Sequence, residues 1–449
     1  MSKQQIQLSD HFTYSRLLRF VLPCIGTMLF TSIYGIVDGL CVSNFVGKTA
    51  FAAVNLIMPL PMLLGTIGFM LGTGGSAIVG ITLGEGDQKK ADRYFTLFLL
   101  AALISVSVLA VLGIVFLRPI AVLLGAKGEL LDYAVRYGRI LMVSLPTFAL
   151  QNMFQSFFVT AEKPHLGFWF TVGAGCTNMV LDVLMVGIWG WGVEGAAIAT
   201  FISQLVGGVL PVFYFIDRSN SSRLHLCKTS FYSKVLRDAC INGSSELMTN
   251  LSMSLVNILY NYQLLRLAGE NGVAAYGVIM YAAFLFVAVF VGYAVGSAPI
   301  VSFHYGARNH AEVHNLYRKS LRLIAVVAVT LTLASMFIIP CVARIFVGYD
   351  AELLALTSRA FRLYALSFLI MGFNVYASSF FTALGDGVTS ALISFLRTLA
   401  FQVIAILLLP LLLGIDGIWL AVTAAELAAL AVSAAMLLAK DKVFHYRKA

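Results

Sequence analysis

Residues Val46 to Asn55 read VGKTAFAAVN, and residues Ala268 to Gly277 read AGENGVAAYG. The second block is a reworked copy of the first, displaced by 222 residues. The same displacement, with no gap, sets Gly84 against Gly306 and Thr160–Ala161 against Thr382–Ala383. It also sets GVEGAAIA from Gly192 against GIDGIWLA from Gly414. A constant offset over such a length marks an internal duplication, and a duplication fixes the architecture. The chain divides into two related halves, 1–216 and 239–449, joined by a polar linker at 217–238.

Each half holds six long apolar runs. In the first they lie at 15–42, 51–83, 94–117, 133–160, 166–190 and 194–216. In the second they lie at 239–266, 272–305, 317–347, 356–384, 388–412 and 416–439. About 20 apolar residues cross a bilayer as a helix. A helix satisfies its own backbone in hydrocarbon, whereas a barrel would show alternating segments of about 10 residues. Composition agrees: the chain is 60% hydrophobic and 11% charged, against about 25% charged in soluble domains. The expected fold is an all-α polytopic membrane protein, with twelve transmembrane helices in two pseudo-symmetric six-helix bundles. Lipid is its solvent.

Six crossings per half return the chain to the side it started from. Parallel repeats of this kind are related by an axis along the membrane normal, with the transport site between them. With the N-terminus in the cytoplasm, inner segments carry 20 Lys/Arg and outer ones 9, and Arg397 is left within a run. Positive-inside bias therefore places both termini in the cytoplasm. That distribution accounts for the net charge of +9 and removes the case for nucleic-acid binding. The linker, DRSNSSRLHLCKTSFYSK from Asp217, reads as a solvated loop. The six cysteines are scattered, without a CxxC pair, which argues against a zinc site or a disulfide framework. No nucleophile–base constellation or nucleotide motif points to an enzyme, and no cofactor is expected. GFMLGTGGSAIVG from Gly68 has no phosphate-loop lysine and reads as close helix packing.

Of 21 acidic residues, four sit well inside apolar runs: Asp38, Asp182, Glu246 and Glu426. A central Asp costs roughly 2.5–3.5 kcal/mol on insertion scales, which argues for a role in an ion or proton path. Asp38 follows Arg19 by 19 residues, and Asp182 follows Lys163 by 19, so both acids reach a similar depth. At 100° per residue, Thr27, Thr31, Tyr34 and Asp38 share one arc, as do Thr171, Gly175, Asn178 and Asp182. Facing stripes would enclose two carboxylates, and like charges disfavour double ionisation, so the pair would readily hold a proton. At the 222 offset Asp38 maps to Tyr260 and Asp182 to Ile404, so the second half lacks the pair. Its own polar stripe is Glu246, Asn250, Asn257 and Asn261, which reads either as a substrate cavity or as interhelical bonding.

At these residues the sequence resembles the multidrug and toxic compound extrusion (MATE) family over nearly its whole length. IVDGLCVSNFVGKTAFAAVNL from Ile36 and LGFWFTVGAGCTNMVLDVLMVG from Leu166 carry the likeness. It is nearest to the bacterial multidrug export and DNA-damage-inducible branch. That resemblance implies cation coupling at Asp38 and Asp182, surrounded by Asn178, Tyr137, Thr200 and Gln155, with a helix-one hinge at Pro23. It implies a monomeric exporter of small organic cations and drugs in the bacterial inner membrane. The coupling ion would be the proton, with sodium at Asp38 and Asp182 as the alternative. The tenth run has no acid before Asp386, which argues against the second-half cation site of the family's other large bacterial branch. A lipid-linked precursor flippase, or an exporter of an endogenous metabolite, is the alternative within the superfamily.

Overall fold

The structure is a computed structural model. It describes residues 6–447 except 47 and 349, and leaves aside the side chains of 36, 38–44, 48, 51, 340, 342, 345 and 346. Among the described residues every regular element is helical. In chain order the first half contains α1 (Tyr14–Val46), α2 (Lys48–Ile57), α3 (Pro59–Gly84), α4 (Gln88–Leu123) and α5 (Glu129–Thr160). It continues with α6 (Pro164–Asp182), which runs on as a π-helical turn (Val183–Ile188), then α7 (Gly192–Gly208) and α8 (Leu210–Ile216). The second half contains α9 (Ser233–Gly306), α10 (His310–Val347), α11 (Ala351–Ala365) and α12 (Phe368–Ala383). After these come α13 (Gly387–Phe395), a π turn (Leu396–Ala400), α14 (Phe401–Leu413), α15 (Ile415–Ala439) and α16 (Asp441–Phe444).

Among the described residues nine helical stretches are long and apolar enough to cross a membrane, or ten if α11 and α12, bent by 46°, form one span. Two features separate this number from the expected twelve. α9 is 74 residues long but breaks at Gly269, whose φ of 60° only glycine adopts freely. The Tyr276 hydroxyl donates to Asn257 Oδ1 at 2.7 Å, and the rings of Tyr260 and Tyr276 stack at 4.9 Å. In a straight helix residues 257 and 276 would lie about 28 Å apart. The chain therefore folds back at Gly269 into two arms, 233–268 and 270–306. The second feature is α5, long enough to span at 32 residues. Gln151, Asn152 and Gln155 lower its hydropathy, which is tolerable because α3, α4 and α7 pack around it.

Packing between the halves obeys the sequence offset. A Cβ on Gly84 would strike the Phe303 carbonyl, and a Cβ on Gly306 would strike that of Ile81. Gly80 faces its own equivalent, Ser302, with an added Cβ only 2.8 Å from the serine Cβ. Gly74 lies against Gly243, while its counterpart Gly296 lies against Val21, the counterpart of Gly243. These are paired contacts of an approximate two-fold axis between α3 and the second arm of α9, and small residues there let backbones touch.

The same end of the bundle is closed by two further segments. Leu8 N donates to Glu162 Oε1 at 2.8 Å in the first half, and Phe12 N donates to Glu312 Oε1 at 2.9 Å in the second. Lys319 Nζ donates to Phe12 O at 2.6 Å. The linker is not a plain solvated loop, as its polar composition suggested. Leu224 is fully buried, His225 N donates to Asp92 Oδ1, and Arg223 pairs with Glu162 while lying over the Phe303 ring. Its last residues are already helical, since α9 begins at Ser233.

Candidate functional site

In the first half, α1 and α6 lie side by side and run in the same direction. Gly26 meets Phe168, Gly175 meets Phe30 and Tyr34, and Gly187 meets Phe45. These contacts advance in step along both helices and bring the backbone of Asp38 level with the turn holding Asp182. The two polar stripes therefore meet, with Tyr34 on one 3.1 Å from the position a Cβ on Gly175 would take. The Asp38 side chain lies outside the described residues. Asp182 is fully buried at the junction where α6 widens into its π turn. Such turns occur frequently at functional sites because they redirect neighbouring side chains.

Asn178, one turn earlier, is 2% exposed, and its Nδ2 has no hydrogen-bond partner among the described residues. Tyr137 belongs to a buried cluster that also holds Val186, one turn beyond Asp182, and Ala196, one turn before Thr200. The Thr200 hydroxyl donates to Ala196 O at 3.0 Å. Asp182 and Asn178 share α6, and Thr200 lies one turn beyond Ala196 of the cluster that holds Tyr137. Gln155 does not join them. It stands on the same helix as Tyr137 but about 27 Å along it. There it lines a small pocket with Cys24, Thr27 and Phe158. Pro23 lies within α1, which is helical through it, and the Pro23 carbonyl accepts from the Thr27 hydroxyl at 2.9 Å.

A cavity of about 820 Å³ is lined mainly by the second half. Glu246, Asn257 and Asn261 line it, together with Arg397 and Glu426. Asn55, Thr73, Ser76 and Ser156 reach it from the first half, so it lies between the lobes. Asn250 does not line it, because its amide turns back to donate to the Glu246 carbonyl at 2.9 Å. Tyr260, the counterpart of Asp38, donates to Ile418 O at 3.3 Å. An uncharged aromatic therefore stands where the first half carries an acid.

Sequence reasoning missed one cluster here. Arg397 Nη1 lies 3.3 Å from Glu426 Oε1, and Asn374 Nδ2 donates to Glu426 Oε2 at 2.7 Å. The Ser433 hydroxyl donates to Asn374 Oδ1 at 2.9 Å, which fixes the amide's orientation. A signal did exist. At the 222 offset Asn374 corresponds to Asn152 and Glu426 to Gln204, both buried, so the repeat flags these positions as polar in each bundle.

The MatE family profile matches residues 23–184 and again 247–408. The chain belongs to the MATE family. Its two matched segments, one per half, repeat at nearly the offset of the internal duplication. Among curated MATE relatives, the multidrug export protein MepA of Staphylococcus saprophyticus is 21% identical over 436 residues, covering 96% of this chain and 95% of its own. MepA of Staphylococcus aureus strain MSSA476 is 22% identical over 433 residues, with the same coverage. A MATE transporter solved in an outward-facing conformation superposes with a TM-score of 0.92 at 23% identity over the whole of both chains. A transporter from Pyrococcus furiosus gives 0.90 at 22%, again over both full chains. At such identity these structures carry the MATE fold, and the site rests on this chain's own residues.

Proposed function

We propose that this MATE protein is a secondary active exporter of organic, mostly cationic and amphipathic compounds, driven by inward movement of protons. The observation that carries the reading is Asp182, a fully buried carboxylate that shares α6 with Asn178 beside the Asp38 backbone. Relatives named as multidrug export proteins support the substrate class. Ions entering from outside bind the Asp38–Asp182 pocket and displace a drug held between the lobes. The lobes then rock about their shared axis. Sodium is the alternative ion, since hard cations also take oxygen ligands. One proton per monovalent cation is electroneutral, and a second proton would add about 2.3 kcal/mol per 100 mV.

The proposed topology is twelve spans with both termini in the cytoplasm of a bacterial cell, in its inner membrane. The nine apolar stretches become eleven when α9 counts as two arms and α11–α12 as one, and α5 makes the twelfth. The chain would act as a monomer. The alternative of a lipid-linked precursor flippase or endogenous-metabolite exporter draws on Arg397, a cation in the cavity wall. The deciding experiment loads proteoliposomes with a fluorescent organic cation and imposes pH and sodium gradients separately. Efflux under either gradient supports drug export. No efflux under both, with lipid-headgroup translocation instead, would establish the flippase.

A further inference from the structure

The cavity lined mainly by the second half carries two charged functions that the protein leaves incompletely matched. Arg397 sits on the π turn Leu396–Ala400, with its side chain 12% exposed. Its recorded hydrogen bond is the 3.3 Å contact from Nη1 to Glu426, which is long for a charge-assisted pair. Its Nε is buried and has no partner among the described residues. Glu426 is held by Asn374, and Asn374 by Ser433, so the acid cannot shift to satisfy the guanidinium further. A buried donor without an acceptor is costly, and a guanidinium offers a fork matched to carboxylate or phosphate. Glu246 lines the same cavity from the first arm of α9, and no hydrogen bond to its carboxylate is recorded among the described residues.

Charge decides what such a cavity holds. With both acids ionised, Arg397 offsets one and the cavity keeps one net negative charge. A simple cation answers Glu246 but leaves the guanidinium donors open. A simple anion answers Arg397 but meets the charge of Glu246, which Arg397 offsets only in part. Only a molecule with both poles answers both, and the stacked Tyr260 and Tyr276 offer aromatic surface to its body. We propose that this cavity binds zwitterionic amphiphiles, with an ammonium at Glu246 and a carboxylate or phosphate on Arg397. Glu426, Asn374 and Ser433 act as positioning residues. This rests on the export reading for its substrate class, yet it concerns binding and is tested without any gradient.

The probe is a naphthyl amphiphile made in three forms: ammonium plus carboxylate, its methyl ester, and its N-acetyl derivative. Affinities are measured by fluorescence on the full chain in an uncharged maltoside detergent. The zwitterion is expected to bind about tenfold tighter than the ester, the scale of one charge-assisted recognition. Because Arg397→Gln alone strands Glu426, the informative variant is Arg397→Gln with Glu426→Gln, which keeps the Asn374 amide partnered. It should lose the preference for the zwitterion over the ester. Glu246→Gln should weaken both ammonium forms. Lysophosphatidylethanolamine as competitor separates the sources: displacement assigns the site to a lipid headgroup, and no displacement to a soluble zwitterion. Equal binding of zwitterion and ester, an unchanged preference in the double variant, or no binding of any form would overturn the inference, even if cation efflux stands. A retained preference in a protein that no gradient drives would leave it intact and sink only the export reading.

Discussion

Gly84 and Gly306 are counterparts in the two repeats, and each lies where a Cβ would strike the backbone of the other's helix: Phe303 for Gly84, Ile81 for Gly306. Ile81 and Phe303 are themselves counterparts at the 222 offset. The relation is reciprocal, as at an isologous interface, and it locates the axis about which the halves would move. The strap at 8–12 and the linker cover the same end, so this end is the closed gate of the structure, and the cavity lies beyond it.

If export requires this gate to open, pinning it stops transport. Gly80→Cys with Ser302→Cys, in a background lacking the native cysteines, should cross-link under mild oxidation. A built Cβ at Gly80 lies within 3 Å of the Ser302 Cβ, close enough for a disulfide after slight relaxation. Efflux from proteoliposomes should fall by more than tenfold on oxidation, an effect equivalent to over about 1.4 kcal/mol, and return with reductant. Full efflux by the cross-linked protein would mean that the axis is not a moving interface.

Glu246→Gln should weaken efflux of cationic drugs by roughly tenfold, the worth of one charge-assisted hydrogen bond, and affect neutral drugs less. Glu246 lines the cavity and no hydrogen bond to its carboxylate is recorded among the described residues, so little structural stabilisation depends on it. The check is paired kinetics on a cation and an uncharged analogue. Equal losses for both would mark Glu246 as structural.

Asp386, between α12 and α13, gives a pH prediction outside the spans. Burial alone would raise its carboxyl. Hydrogen bonds from Lys440 and from the side chain and amide of Thr389 outweigh that and hold it below its ordinary 3.8. A depressed value in the folded state means a stabilisation that is complete above the ordinary value and lost as pH falls through the depressed one. Asp386→Ala should therefore cost about 1 kcal/mol, a typical N-cap loss, at any pH from 5 to 7. The gap from wild type should start to narrow only below the ordinary 3.8 and vanish once pH has fallen through the depressed value. Thermal unfolding in detergent across that range measures it, and a gap that widens in acid would contradict the assignment.

The duplication was legible because it is written in residues the packing needs: Gly84, Gly306, Gly192 and Gly414 recur where backbones touch or reverse. Matched depth for Asp38 and Asp182 was legible because a helix converts residue number into distance. The partner of Arg397 was not. Glu426 stands 29 residues away on another helix, and nothing in a linear pattern says which faces meet. Gln155 failed for the opposite reason. A resemblance placed an amide on the correct helix, but a position several turns off lands about 27 Å from its target. Asn250 shares an arc with Glu246 yet bonds backward along its own helix, a choice periodicity cannot see. The strap at Leu8 and Phe12 carries no pattern at all, since its hydrogen bonds come from backbone amides.

The central claim is that ion coupling resides at Asp182 and Asp38 in the first half, while the cavity lined mainly by the second half holds the substrate. The most direct measurement is efflux of an organic cation from sodium-free proteoliposomes under an imposed inward pH gradient, for wild type and for Asp182→Asn, with drug binding measured on both. The account predicts rapid efflux by wild type, a loss of at least about a hundredfold, near 2.7 kcal/mol, in the variant, and a drug affinity at or below that of wild type, since Asn mimics the protonated acid that displaces the drug. Gradient-driven efflux by Asp182→Asn at the wild-type rate would contradict it.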